Sequence, residues 1–251
     1  KVQNGSDLNL QLCNNEITSN GDRGINIDVS GGSGSNVLTG TICNNAISEH
    51  ASYGINLYTY YTNSTSQLSI ENNQIDHVNQ AIYARFNRST SNSSLSVNSN
   101  ILNTGQYGVR ILAEYATLSP TILENEIYDY SVDGIRTERG SGGLMVPQIE
   151  GNLIYHNARH GIFLQVSSPI TLTNNSFEEN FVSQLYNDSS YVINAQSNWW
   201  GVDATNDIIN GTNPQNLNAI YDAYDNSAKG EVDYSNWLSL YEQPSTPTIS
   251  V

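Results

Sequence analysis

The sequence predicts an all-β chain: a single-stranded, right-handed parallel β-helix of about eight coils and three short parallel sheets, with a C-terminal cap. Three observations predict it. One asparagine returns once per repeat, a Gly-Ile-x-hydrophobic segment returns eight or nine residues after it, and apolar residues alternate with period two between them. A constant residue in a drifting period marks a solenoid whose unit is fixed and whose loops vary.

The asparagine column comes first. Aligning LCNNEI, ICNNAI, IENNQI, VNSNIL, LENEIY, EGNLIY, TNNSFE and QSNWWG superposes Asn15, Asn45, Asn73, Asn100, Asn125, Asn152, Asn175 and Asn198. Their spacings are 30, 28, 27, 25, 27, 23 and 23 residues. Coils stacked about 4.8 Å apart would let these side chains form an amide ladder, each donating to one neighbouring coil and accepting from the other. The strand that follows reads Gly24-Ile25-Asn26-Ile27, Gly54-Ile55-Asn56-Leu57, Gly108-Val109-Arg110-Ile111, Gly134-Ile135-Arg136-Thr137 and Gly161-Ile162-Phe163-Leu164, with Ala81-Ile82-Tyr83-Ala84 in the same slot. Alternation of this kind buries one face of a strand. Three such strands in about 25 residues leave no room for a helix within a coil.

Cys13 and Cys43 share a column two residues before the ladder asparagine. Stacking brings their α-carbons to about 4.8 Å, within disulfide range, yet in-register neighbours point the same way. A disulfide and an unbonded pair of small residues both remain open. After Asn198, the segment Asn198-Trp199-Trp200-Gly201 reads as a plug for the end of the core. The expected organisation is coils over 1–201 that begin inside an earlier repeat, a capping segment over 202–240, and a linker over 241–251 leading to another domain.

These repeats resemble the parallel β-helix repeats of pectate lyase-like proteins and of the NosD-like carbohydrate-binding and sugar-hydrolase group. The closing residues Tyr221-Asp222, Gly230-Glu231-Val232-Asp233-Tyr234 and Trp237-Leu238 are similar to the end segment of many such proteins. The resemblance spans about residues 8–240. It implies a fold and a sugar-related role; it does not imply one reaction, because the fold carries lyases, hydrolases, epimerases and inert scaffolds. Neither a polygalacturonase-type carboxylate motif nor an Asp-Pro-His epimerase motif is present.

A net charge of -15 with nine Lys plus Arg argues against nucleic acid as a partner, since phosphate binding needs clustered cations. No stretch approaches the roughly 18 apolar residues of a membrane span. One methionine, abundant Ser, Thr, Asn and Tyr, and sequons at Asn4, Asn63, Asn87, Asn92, Asn174, Asn187 and Asn210 suit a secreted or cell-surface domain, monomeric within a larger protein.

Function is expected on the outward positions of the Gly-Ile strand. The first outward column reads Asn26, Asn56, Tyr83, Arg110, Arg136, Phe163; the second reads Asp28, Tyr58, Arg85, Leu112, Glu138, Gln165. All seven arginines (Arg23, Arg85, Arg88, Arg110, Arg136, Arg139, Arg159) fall on this strand or its end turns. Arg110 and Arg136, one coil apart, need an anion beside them: Glu138 or Glu114 from within, or a bound carboxylate or sulfate from outside. Tyr58, Tyr60, Tyr61, Tyr83, Tyr107 and Tyr115 flank the sector, either for sugar contact or as ordinary ladder tyrosines.

Two chemistries fit there. A uronate lyase would use Arg110 and Arg136 to hold the sugar carboxylate, with Tyr83 or His160 as base or acid. An inverting hydrolase needs two carboxyl groups about 6.5–9.5 Å apart, and Glu114 and Glu138 have α-carbons roughly 8 Å apart on the coil lattice. Asn56, Tyr58, Arg85, Phe163 and Tyr107 are the expected substrate-binding residues. A second polar column, Ser19, Glu49, His77, Thr104, Asp129, His156, Glu179, follows the ladder turn as a solvated edge. No metal site of defined spacing appears; calcium is the one ion that the acidic tail (Asp203, Asp207, Asp222, Asp225, Asp233) would suit. The chain is therefore expected to bind an acidic extracellular polysaccharide, with cleavage as lyase or hydrolase one form of that reading, or else to serve as a non-catalytic stalk or adhesin module. Long variable turns over 30–35 and 60–67, at the edge of a rigid face, favour the first.

Overall fold

The computed structural model describes residues 6–30, 36–60, 64–88 and 93–240. Parts of the long turns (31–35 and 61–63), Tyr61, the sequons at Asn4, Asn63 and Asn92, and the expected linker over 241–251 lie outside them.

The chain winds into parallel sheets, about six full turns in all. That is slightly fewer than the eight coils expected, and after Asn198 the path enters a helix, α1 (Val202–Asn210), instead of another bent strand. One sheet has nine strands, beginning with Asp7–Cys13, Asn36–Cys43 and Ser64–Glu71 and ending with Ile193–Asn194 and Val232–Asp233. The other has ten strands, eight of them on its main path, among them Glu16–Ser30, Ala46–Tyr60, Gln74–Asn87, Ile101–Glu114 and Glu126–Arg139.

Three short sheets were expected, and the described residues form three, of nine, ten and two strands. The strand after the ladder turn and the Gly-Ile strand are one bent strand of 14 or 15 residues in each of these coils. The bend is a single residue in the left-handed region: Ser19 (φ 55), Glu49 (59), His77 (50), Thr104 (60) and Asp129 (60). In the next two coils His156 (55) and Glu179 (47) hold the same position, and the strand breaks in two around them. The second polar column is thus the corner of the coil. Among the described residues the third sheet is the pair Thr117–Leu118 and Leu144–Met145.

The other corner carries the ladder. The residue before each ladder asparagine is also left-handed, from Asn14 (φ 61) through Glu124 (55) and Gly151 (67) to Ser197 (57). Such a residue costs roughly 1–2 kcal/mol where it is not glycine. The asparagine that follows offsets this. From Asn15 to Asn175, each donates its backbone N–H and its side-chain Nδ2 to Oδ1 of the next ladder asparagine, at 2.8–3.1 Å. Nδ2 of Asn100 also donates to the Ile70 and Asn98 carbonyls. Buried polar groups are thereby satisfied in both directions along the stack.

Inside, the apolar columns stack in register: Ile25 on Ile55, Ile55 on Ile82, Ile82 on Val109, Val109 on Ile135, and Ile135 on Ile162. Glycine in the Gly-Ile segment has a spatial reason. A Cβ on Gly108 would lie 2.6 Å from the Gly134 carbonyl oxygen and 2.6 Å from Ile127 Cγ2. At the C-terminal end Trp200 is fully buried and stacks on Phe177, ring centres 5.1 Å apart, while Ala204, Thr205 and Ile208 of α1 close the interior. Cys13 and Cys43 pair directly across the first two coils and are bonded, with α-carbons 4.5 Å apart.

Candidate functional site

Register places the outward side chains of the bent strands in vertical rows. The middle row runs Asn26, Asn56, Tyr83, Arg110, Arg136, Phe163 and continues to Tyr186 and Tyr221. Beside it the downstream row contains Asp28, Tyr58, Arg85, Leu112 and Glu138, each one strand from the next. The upstream row, which the sequence reading did not assemble, is Arg23, Tyr53, Gln80, Tyr107, Asp133, His160 and Ser183. It is the position just before the Gly-Ile glycine, so that glycine was the signal that could have found it.

Arg110 and Arg136 do sit opposite one another on adjacent strands. The anion between them is internal. Glu138 accepts from Arg110 Nε at 2.7 Å and from Arg136 Nε at 2.8 Å. Arg136 also donates through Nη1 to Asp133 Oδ2 at 2.9 Å, and Asp133 accepts twice from Arg159, at 2.8 and 2.5 Å. Three guanidinium groups therefore share two carboxylates, and this linked cluster carries a net positive charge in a chain of net charge -15. Burial opposes ionisation of Glu138, but the hydrogen bonds from Arg110 and Arg136 prevail and hold its carboxyl below the usual range.

Glu114 is the last residue of its strand and bonds Arg85 rather than Arg110, through Arg85 Nε at 3.0 Å and again through Nη2. Both carboxylates expected to form a hydrolytic pair are thus held by arginine. Tyr83 lies under Arg110, whose guanidinium is 5.6 Å from its ring centre and 5.1 Å from that of Tyr107. Burial raises the Tyr83 phenol, with Arg110 and Arg85 opposing, so it stays protonated at neutral pH. His160 is buried beneath the row, with Nδ1 2.8 Å from Ser183 Oγ and its ring 4.7 Å from that of Tyr186. Burial pushes its pKa down to about 4, leaving a neutral imidazole.

The aromatic residues mostly stack on each other. Arg136 lies 3.8 Å above the Phe163 ring, Phe163 stacks on Tyr186 at 5.3 Å, and Tyr186 on Tyr221 at 4.1 Å. Rings stacked in this way spend their flat faces on neighbours and present edges and hydroxyl groups outward. Toward the other end, Tyr53 stacks on Tyr83, and Arg85 lies 5.6 Å from the Tyr58 ring centre. There the rows enclose an open cleft of about 310 Å³, lined by Arg23, Asn26, Asp28, Tyr53, Asn56, Tyr58, Tyr83 and Arg85.

The remaining polar features are structural. Asp129, His156 and Glu179 form an exposed polar column, with His156 3.6 Å from Asp129 and 3.0 Å from Glu179. In the tail, Asp222 is buried and its two oxygens accept from the Tyr224 and Val232 backbone N–H groups, at 2.9 and 2.8 Å. Asp233 accepts from the Ser235 N–H and from Gln196. Among the described residues no group of three His, Cys, Asp or Glu is placed to hold a metal ion, and no helix is long and apolar enough to cross a membrane.

A family model described as a right handed beta helix region matches residues 112–199. The coils that precede that segment keep the same register and the same ladder. No curated protein and no solved structure matches the chain significantly.

Proposed function

We propose that this β-helix is a secreted or cell-surface module that binds an extended acidic polysaccharide along the arginine-tyrosine rows and holds it without cleaving it. The observation that carries this reading is the cluster of Arg110, Arg136 and Arg159 around Glu138 and Asp133: one guanidinium more than the carboxylates it contains. Arg110, at 27% side-chain exposure, is the outermost donor of the linked Glu138 pair and the group best placed to take a ligand carboxylate or sulfate. Holding without cleavage follows from the same contacts. Glu138 and Glu114 are engaged with arginine, and neutral His160 lies under the aromatic row. The rigid lattice favours binding because the side chains are ordered before the ligand arrives. The disulfide supports an oxidising compartment.

The test is binding to acidic and neutral polysaccharides by affinity electrophoresis and calorimetry. The wild type should bind at least one acidic polymer. Arg110→Ala should weaken it about tenfold or more, the worth of one charge-assisted hydrogen bond. Incubation should release no product absorbing in the ultraviolet; release of unsaturated product would replace this reading with the lyase. No binding to any polymer would favour the second reading, a stalk, which the continuous amide ladder supports by making the rod stiff.

A further inference from the structure

The cleft over the first three coils differs in charge from the arginine cluster further along the same rows. Its arginines are already matched. Arg85 bonds Glu114, and Arg23 lies 3.0 Å from Asp22 in an ion pair whose angle makes no hydrogen bond, while its Nη1 donates to Asn26 Oδ1 at 2.9 Å. Asn26 Oδ1 also accepts from Asn56 Nδ2 at 2.7 Å, which fixes both amides on the cleft floor. Two shielded atoms of the lining nevertheless lack a hydrogen-bond partner among the described residues: Arg23 Nε, a donor, and one carboxylate oxygen of Asp28, Oδ1. A carboxylate oxygen can only accept, so an occupant of this cleft must bring a donor to it. An anionic sugar would instead meet an unmatched negative charge.

We infer that this cleft is a subsite for a neutral, hydroxyl-bearing sugar unit, with Asp28 accepting from one hydroxyl and the Arg23 or Arg85 guanidinium donating to another. Neutral sugars suit it because each hydroxyl both donates and accepts. The inference rests on the proposed polysaccharide binding and narrows it. Along the middle row, Arg110 lies three coils beyond Asn26, or about 14 Å on the strand lattice. One ligand spanning both positions must carry neutral units at one end and an acidic unit at the other. Its class is an acidic heteropolysaccharide rather than a homopolymer of uronate.

The experiment compares three kinds of probe by calorimetry: mixed polymers (glucuronoxylan and gellan), an all-acidic polymer (polygalacturonate) and neutral polymers (unsubstituted xylan and mannan). The wild type should bind a mixed polymer at least tenfold more tightly than polygalacturonate. Asp28→Ala should weaken the mixed polymer about tenfold and leave polygalacturonate unchanged or bound more tightly. Asp28→Asn, which keeps an acceptor, should lose less, and it serves as the measurement should the alanine variant fail to fold by circular dichroism. Mixed-polymer affinity that is indifferent to both Asp28 variants overturns the subsite while leaving acidic binding at Arg110 intact. Loss of binding in Asp28→Ala with no effect of Arg110→Ala on any polymer upholds the subsite and overturns the acidic reading. Failure of every polymer to bind the wild type overturns both.

Discussion

At the scale of single residues, Asn100 shows how much one amide does. Its Oδ1 accepts from both the backbone and the side chain of Asn73, and its own Nδ2 reaches three acceptors. Asn100→Ala strands the Asn73 backbone N–H in a fully buried place, while Asn73 Nδ2 keeps the Ile42 and Glu71 carbonyls, and should cost about 3 kcal/mol, read as a lower urea midpoint. His160 and Glu138 set the acid response. The imidazole protonates near 6.5 in the unfolded chain but only near 4 in the fold. Its contribution is therefore complete above pH 6.5 and lost as pH falls toward 4, by up to about 3 kcal/mol. Glu138 has a depressed pKa, so its contribution is present above the ordinary 4.5 and lost only as pH falls below that value. Urea unfolding from pH 7 to 3 should show two declines, and His160→Gln should remove the upper one alone.

Among the elements, the ladder corner and the Gly-Ile strand were legible because each restricts its residue type for a local reason, to asparagine at the one and to glycine, once alanine, at the other. Asparagine alone donates and accepts along the stack in the same way at every step, and at Gly134 a Cβ would meet the Gly161 carbonyl oxygen at 2.8 Å. Gly134→Ala should accordingly destabilise by about 1–3 kcal/mol, seen as a lower melting temperature. The second corner was not legible as a corner. Ser, Glu, His, Thr and Asp all occupy it, because the conformation there is imposed by stacked neighbours rather than by the residue. Its own short amide ladder, Asn157 to Asn180 at 2.8 Å, occupies only the last coils and so left no column to align. The candidate rows were readable from alternation, whereas the pairing of Glu114 with Arg85 depends on side-chain reach that spacing does not encode. The disulfide closes a separation of 30 residues, and Cys13→Ser with Cys43→Ser should cost roughly 3.5 kcal/mol by chain entropy, lost at the first two coils. Hydrogen exchange under non-reducing conditions would locate that loss.

For the whole molecule, charge and shape set how a ligand arrives. A chain of net charge -15 repels a polyanion at a distance, even though the arginine cluster attracts it on contact. Salt screens the distant part first, with a Debye length of about 30 Å at 0.01 M and about 8 Å at 0.15 M. The association rate with an acidic polymer should therefore rise over that range, while dissociation also quickens; stopped-flow measurement would separate the two. The coils differ in length from 30 residues down to 23, yet every ladder step keeps the same bond lengths. Most of that variation falls between the Gly-Ile strand and the next ladder asparagine, and the rest is a single residue taken up by a register shift after the second corner. The rod thus works as a graduated scale whose marks stay evenly ruled however much chain is spent between them, and lengthening a loop would leave the sugar-facing marks where they are. Deleting a whole coil would instead shift every mark beyond the cut by one division.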